Sequence, residues 1–507
     1  MSAFQEGDGV AAIVEGLGTL RSPLIPFPNP KLPVLCTQSS SQRQPGTVVA
    51  TASNKITIAS TGNNYVGFCG IPYANVTPRF EYSVPCSGKG QLIKATAYSQ
   101  QCAQSGSGSQ YCLHLNIRTP YPPNSGSTSD LRPVILEIPG RGFTGGIDGH
   151  PGNDGGNLAS QEDIIVVTIN YRLSTLGFMA IPGTNITGNY GITDQMNALE
   201  WTVKNIASFG GVPKKITIIG GSAGAGSVSP PAKCKFKTAI AMSSLGAGQN
   251  IFQATGCTQA TLNAQIVCLK QAPALTLVGL GSVARHVAQD GTLVKTPQID
   301  LKHGTTAKVQ VIFGTTWMTV LHSQPIPRQL SLFFLLQGFK VGLEIFAQYA
   351  QSIINSGLFL CIDEATMYTV AKTDAFPASY YYTMELTGAG YDPNNLGGPP
   401  PTPGPPYPNP KFPYFRLHGS DIPWTIQLTA SYFGSFVKTG QPNHKRSYLT
   451  VRGYVKALAS IQKTGAWNSG EASTQGPIKL LDCPAVTSPF VDVPQGAFLN
   501  YSLILCR

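Results

Sequence analysis

The sequence predicts an α/β fold, a mostly parallel central sheet flanked by helices, on three observations. Apolar runs bounded by turns recur, each rich in Val and Ile and nearly unbroken: RPVILEIPG (132–140), DIIVVTINY (163–171) and KKITIIGG (214–221). Unbroken apolar strands are those covered on both faces. Between the last two lies YGITDQMNALEWTVKNIASFGG, whose Met196, Leu199, Trp201, Val203 and Ile206 recur at roughly helical spacing before a Gly-Gly stop. Strand, helix and strand in that order imply right-handed crossovers in a parallel sheet.

Further elements follow in order. KVQVIFG (308–314) and SYYYTMEL (379–386) read as two more strands. Between them QLSLFFLLQGFKVGLEIFAQYAQSII reads as an unusually apolar helix, suited to a buried position or to lining a greasy pocket. Its Phe333, Phe334 and Phe346 favour a hydrophobic substrate or, equally, a packed helix core. The tract NNLGGPPPTPGPPYPNPKFPYF (394–415) is proline-rich and must be an extended loop. Strand-like and helix-like segments continue beyond it without a change in composition, so it reads as an insertion rather than a linker. At 507 residues the chain has room for two domains or for one large one. The reading adopted is an N-terminal extension over 1–44 and a single domain over 45–507, and no internal repeat is visible.

Composition narrows the partners. Charged residues are only 12% of the chain, against about a quarter in an average protein, while Gly (55) and Pro (40) are abundant. This predicts long, well-packed loops with few ion pairs. The formal charge of +11 favours anionic partners or substrates. No Lys/Arg run alternates with aromatics, no zinc-finger spacing occurs, and PNHKRS is too short to argue for nucleic acid. No apolar run of the length of a membrane span is present. Oligomeric state is not readable.

Cysteines number 11, many for a cytosolic enzyme, and the close pairs Cys102/Cys112 and Cys257/Cys268 are spaced to close short loops. Each such bridge would contribute roughly 2 to 3 kcal/mol through the unfolded chain's lost entropy. Asn75, Asn185 and Asn500 open glycosylation triplets, which also arise by chance. The cysteine number favours secretion. Residues 1–35 oppose it, lacking the basic start and apolar middle of a secretory leader.

The chemistry begins at ITIIGGSAGAGSVS. A strand driven into Ser222 between small residues has the shape of a nucleophile elbow, in which a sharp turn lifts the hydroxyl above the sheet's carboxyl edge. A plain structural turn is the alternative. Acyl transfer also needs donors aimed at a developing oxyanion. The backbone N–H of Ala223 is one, and EIPGRGFTGG offers Gly140, Arg141 and Gly142 after an earlier strand. That loop lacks the Lys-Ser/Thr ending of a phosphate loop.

These stretches, with GFCGIPYANVTPRF, CLHLNIRTP, VVTINYRLSTLGFM and LHGSDIPW, resemble the type-B carboxylesterase, cholinesterase and fungal lipase family over roughly residues 45–505. The resemblance implies an α/β-hydrolase fold and hydrolysis of carboxylic esters with neither cofactor nor metal. It assigns the nucleophile to Ser222, the base to His418 and the oxyanion donors to Arg141, Gly142 and Ala223. Arg141 stands where the family has glycine. Asp421, close to His418, has a generally structural counterpart.

The departures concern the acid. Where the family has a glutamate this chain reads GTTWMTV, placing Thr319 at the acid's position. The acid of a serine triad orients the histidine and stabilises its imidazolium, which a hydroxyl cannot do. Glu344, Asp363, Glu364 and Asp374 are substitutes without motif support. Gly221 replaces the family's elbow glutamate, and Gln110 and Tyr111 stand where acids would pair with Arg79. FGGVP replaces FGGDP, and the segment after the elbow is shortened to SPPAKCKFKTAIAMSS. Three functions fit: hydrolysis or transfer of the acyl group of a small or medium-sized hydrophobic ester with a weakened or rerouted triad; a cyclase, lyase or isomerase acting on a natural product; or a noncatalytic binding relative.

Overall fold

Continuous Val and Ile can be buried only where both faces of a strand are covered, and the chain meets that demand by building a wide sheet with a core on each side. The computed structural model describes residues 10–11, 14–15, 19–20, 25–26, 47–51, 57–61, 66–86, 92–120, 131–149, 154–227, 235–242, 257–279, 287–288, 293, 308–316, 367, 370–384, 427–470, 478–481 and 486–488.

The ten-stranded sheet comprises β1 (Val66–Pro72), β2 (His114–Thr119), β3 (Arg132–Ile138), β4 (Ile165–Ile169), β5 (Gly211–Gly221), β6 (Thr238–Met242), β7 (Gln310–Thr316), β8 (Ser379–Met384), β9 (Ile478–Leu481) and β10 (Val486–Ser488). In space they run β1-β2-β4-β3-β5-β6-β7-β8-β9-β10. Pairings from β4 through β9 are parallel, and the edge pairings β1–β2, β2–β4 and β9–β10 are antiparallel. Each of the five sequence-predicted strands is present in this sheet.

Alternation along the strands divides the interior. Val134, Leu136, Val167, Ile216 and Ile218 belong to one core with Trp201 and Phe209. Ile135, Val166, Ile219, Ile240 and Ile312 belong to the other, with Phe433, Phe436 and Trp467. The helices of the chain's first half are α1 (Gly156–Glu162), α2 (Ser174–Phe178), α3 (Tyr190–Asn205) and α4 (Ala223–Ser227). Then come α5 (Leu262–Gln271), α6 (Ala274–Val278), α7 (Gln427–Thr439), α8 (Arg446–Val451) and α9 (Val455–Thr464).

The predicted helix is α3, continued by a 3-10 turn over Ile206–Phe209. Gly210, at φ 87°, then takes the left-handed conformation that lets its N–H close onto the Ile206 and Ala207 carbonyls. Arg172, just past β4, makes a buried bidentate ion pair with Asp194 of α3, its Nε and Nη2 each 2.8 Å from a carboxylate oxygen.

A second buried polar group ties the C-terminal helices to α1. Glu162, 0% exposed at the end of α1, accepts hydrogen bonds from Tyr454 Oη at 2.5 Å, Lys438 Nζ at 2.8 Å and Tyr448 Oη at 3.2 Å, with His444 Nε2 at 3.3 Å. Burial alone would raise its pKa, but His444, Lys438 and Tyr454 outweigh burial and hold the carboxyl below its usual range. Room for it exists because residue 434 is glycine: a Cβ there would lie 2.2 Å from Glu162 Oε2.

Both expected disulfides are formed, Cys102–Cys112 and Cys257–Cys268. No helix among the described residues is long and apolar enough to cross a membrane.

Candidate active site

β5 delivers Gly220 and Gly221 to a turn in which Ser222 takes φ 56°, the left-handed region that non-glycine residues seldom enter. Small neighbours make the turn possible. A Cβ at Gly220 would lie 2.3 Å from the Gly224 carbonyl carbon, and one at Gly224 would lie 2.1 Å from the Ile138 carbonyl oxygen at the end of β3. The turn is held by the Ser222 N–H donating to the Met242 carbonyl and by the Gly226 N–H donating to the Ser222 carbonyl at 3.1 Å. Ser222 is 6% exposed. Ala223 is buried and opens α4, where a first-turn N–H has no carbonyl one turn earlier to bond.

The loop after β3 lies against this elbow. A Cβ on Gly140 would sit 2.4 Å from the Gly221 carbonyl oxygen and 3.2 Å from Ser222 Cβ, so the two backbones touch with no side chain between them. Three successive residues then turn left-handed, Arg141, Gly142 and Phe143, with φ of 66°, 63° and 60°. Phe143 anchors the turn by burying its ring against Phe178, 4.7 Å away between centroids, while its carbonyl accepts the Ser174 N–H at 2.7 Å. Tyr171 Oη donates to the Pro139 carbonyl at 2.8 Å. The Arg141 carbonyl accepts from the Thr144 and Gly145 N–H groups, and its side chain is exposed. The structure thus packs Gly140, which leads into Arg141 and Gly142, directly against Gly221 and Ser222, with Ala223 next in the chain.

His418, Thr319, Glu344, Asp363 and Glu364 lie outside the described residues, as do the predicted helix over 329–354, the proline-rich tract 394–415 and Asn500. Asp374 is described, and the sheet removes it from among the substitute acids. It is exposed in the turn before β8, at the amino ends of the parallel strands, whereas Ser222 follows the carboxyl end of β5. Arg79 finds neutral partners in place of acids: its Nε donates to Gln110 Oε1 at 2.8 Å, and its Nη1 to the carbonyls of Lys270 and Ala272.

Two side chains near the loop were not singled out from sequence. Gln104, inside the Cys102–Cys112 loop, bonds to Gly146. Asp148 is 1% exposed, its carboxylate oxygens have no hydrogen-bond partner among the described residues, and burial pushes its carboxyl up to about 7 against the opposing effect of Asn116 and Asn170. Neither sits in a periodic or motif-bearing segment, so only the fold reveals them. Among the described residues no group of three or more His, Cys, Asp or Glu is placed to hold a metal ion.

An eight-strand run from β1 to β8 in the order 1-2-4-3-5-6-7-8, with a left-handed serine after the fifth strand and a glycine loop after the third, defines an α/β-hydrolase fold. Residues 51–329 match the carboxylesterase family, and the chain belongs to that family. The chain is 40% identical over 189 residues to cholinesterase of Mus musculus, covering 33% of this chain and 30% of that protein. It is 41% identical over 175 residues to bile salt-activated lipase of Homo sapiens (32% and 23%). To juvenile hormone esterase of Heliothis virescens it is 34% identical over 217 residues (39% and 38%). The chain spans between 23% and 38% of the length of these relatives. The family match takes in Ser222 and Thr319 and ends before His418.

Proposed function

We propose that the protein hydrolyses, or transfers the acyl group of, a small or medium-sized hydrophobic carboxylic ester. Ser222 attacks the ester carbonyl. His418 takes the hydroxyl proton and returns it to the leaving alcohol. The backbone N–H groups of Arg141, Gly142 and Ala223 receive the oxyanion. The observation that carries this reading is the left-handed Ser222 with the Gly140 backbone packed directly against it. An arginine at position 141 is compatible with it, because a backbone donor owes nothing to its side chain. The substrate class follows the names of the relatives, an esterase and a lipase among them. Formation of two disulfides accords with folding in an oxidising compartment.

The test is covalent. A fluorophosphonate probe added to the full chain is expected to label the Ser222 peptide, with the label absent from Ser222→Ala. A parent chain that takes no label under forcing conditions defeats the proposal. A second reading is favoured by Thr319 and Gly221 standing where the resemblance expects two glutamates: a cyclase, lyase or isomerase needing less from the acid, with Ser222 as hydrogen-bond donor and His418 as proton shuttle. Under that reading a biosynthetic intermediate is converted to an isomer or elimination product without incorporation of labelled water. Unchanged conversion by the Ser222→Ala, His418→Ala double variant rejects it.

A further inference from the structure

We propose that Gln104 is a positioning residue, holding the backbone donors beside Ser222 in place from within the Cys102–Cys112 loop. The inference rests on the acyl-transfer reading above. Gln104 Oε1 accepts the Gly146 N–H at 3.3 Å, and its Nε2 donates to the Gly146 carbonyl at 3.0 Å and to the Cys102 carbonyl at 3.2 Å. One side-chain amide therefore engages both polar groups of a single residue, as a neighbouring strand would.

The residue that does this is itself fixed at both ends. Its N–H donates to the Ser107 carbonyl at 2.9 Å, and its carbonyl accepts the Ser107 N–H at 3.1 Å. The disulfide closes the loop around it. Gly145 is shaped to admit the side chain: a Cβ there would be 3.1 Å from Gln104 Oε1.

Gly146 in turn abuts the residues nearest the nucleophile. A Cβ on Gly146, whose φ is 117°, would lie 3.3 Å from the Gly140 carbonyl oxygen and 3.4 Å from Pro139 Cβ, and Gly140 is the residue in backbone contact with Gly221 and Ser222. A continuous path thus runs from the disulfide through Gln104 and Gly146 to Gly140. An oxyanion site works only if its donors are set before charge develops, and displacing such groups by about 1 Å costs on the order of a hundredfold in rate. Phe143 and the Ser174 N–H anchor the left-handed run at its end, and Gln104 braces the loop's far side through Gly146.

The test compares the full-length parent with Gln104→Leu and Gln104→Glu. Hydrogen exchange read by mass spectrometry over 140–146 needs no substrate. Exchange there rises about tenfold or more in Gln104→Leu while peptides of the central sheet stay unchanged. Gln104→Glu, which turns a carboxylate oxygen on the Cys102 and Gly146 carbonyls where Nε2 had donated, gives a rise at least as large. On p-nitrophenyl acetate, kcat falls about 10- to 100-fold in Gln104→Leu with KM held within about twofold. Unchanged exchange over 140–146 overturns the inference, and so does a kinetic loss confined to KM. A parent that neither turns over ester nor takes a phosphonate on Ser222 overturns the acyl-transfer reading instead, and the exchange measurement still decides whether Gln104 holds the loop.

Discussion

At the scale of single residues, the elbow is a matter of missing atoms. Gly224 cannot carry a methyl group, because the atom in the way is a backbone oxygen of β3 rather than the movable end of a side chain. Gly224→Ala is expected to destabilise the chain by about 2 kcal/mol or more and to abolish phosphonate labelling; a soluble variant labelled at the parental rate would contradict this geometry. Thr319→Glu is expected to supply the charge missing from the proposed Ser222–His418 mechanism. If Ser222 and His418 work as proposed, it raises kcat on p-nitrophenyl esters by roughly a hundredfold or more. Asp148 makes a prediction in pH. Its native pKa of about 7 lies above its unfolded value, so the native state binds the extra proton and stability falls as pH rises from about 4 to about 7. Asp148→Asn removes that slope, and denaturant melts should find the variant more stable than the parent at pH 8, by roughly 2 to 4 kcal/mol at most, and no more stable at pH 4. Ser222 was legible in the sequence because small residues flank it at the end of an apolar strand. Gln104 and Asp148 were not, because an amide in a Ser/Gly-rich loop and an acid in a glycine loop look like ordinary surface polarity until the chain folds over them.

At the scale of elements, the strands were legible from continuous Val and Ile, and their ends were less so. β5 begins at Gly211, three residues before the lysine pair that opens its apolar run, because Gly211 pairs with Arg132 of β3. The Gly-Gly pair therefore serves two elements: Gly210 ends the turn after α3 and Gly211 starts a strand. The docking of α7 and α8 beside α1 could not be read at all. It depends on Glu162 meeting Lys438, Tyr448 and Tyr454, which lie 276, 286 and 292 residues further along the chain and reach it only through the fold. Glu162→Gln leaves the half-buried Lys438 without the carboxylate 2.8 Å away, and is expected to cost roughly 1 to 3 kcal/mol near neutral pH. Because the Glu162 pKa is depressed, its contribution is present above the ordinary carboxylate range and is lost as pH falls through the folded value. The gap between parent and variant in thermal melts should accordingly close in acid. Gly434→Ala should mimic part of this loss, since the Glu162 carboxylate held by Lys438 and Tyr454 cannot swing away from the new methyl group.

At the scale of the whole molecule, the two disulfides restrict the unfolded chain. Removing either bridge, by Cys102→Ser with Cys112→Ser or by Cys257→Ser with Cys268→Ser, is expected to cost roughly 2 to 3 kcal/mol in denaturant melts. Only the first pair should also speed exchange over 140–146. The sheet itself has a further consequence. It parts two indoles: Trp201 lies 6.0 Å from Phe209, tilted at 46°, on one side, while Trp467 on the other is ringed by Tyr432, Tyr380 and Tyr382 at 5.4, 6.0 and 6.2 Å. The chain has four tryptophans in all, so versions retaining a single one of these two carry a separate fluorophore in each layer. Their emission during refolding would time the closing of the front and back of the protein independently, with energy transfer from the surrounding tyrosines marking the moment the later-synthesised helices arrive.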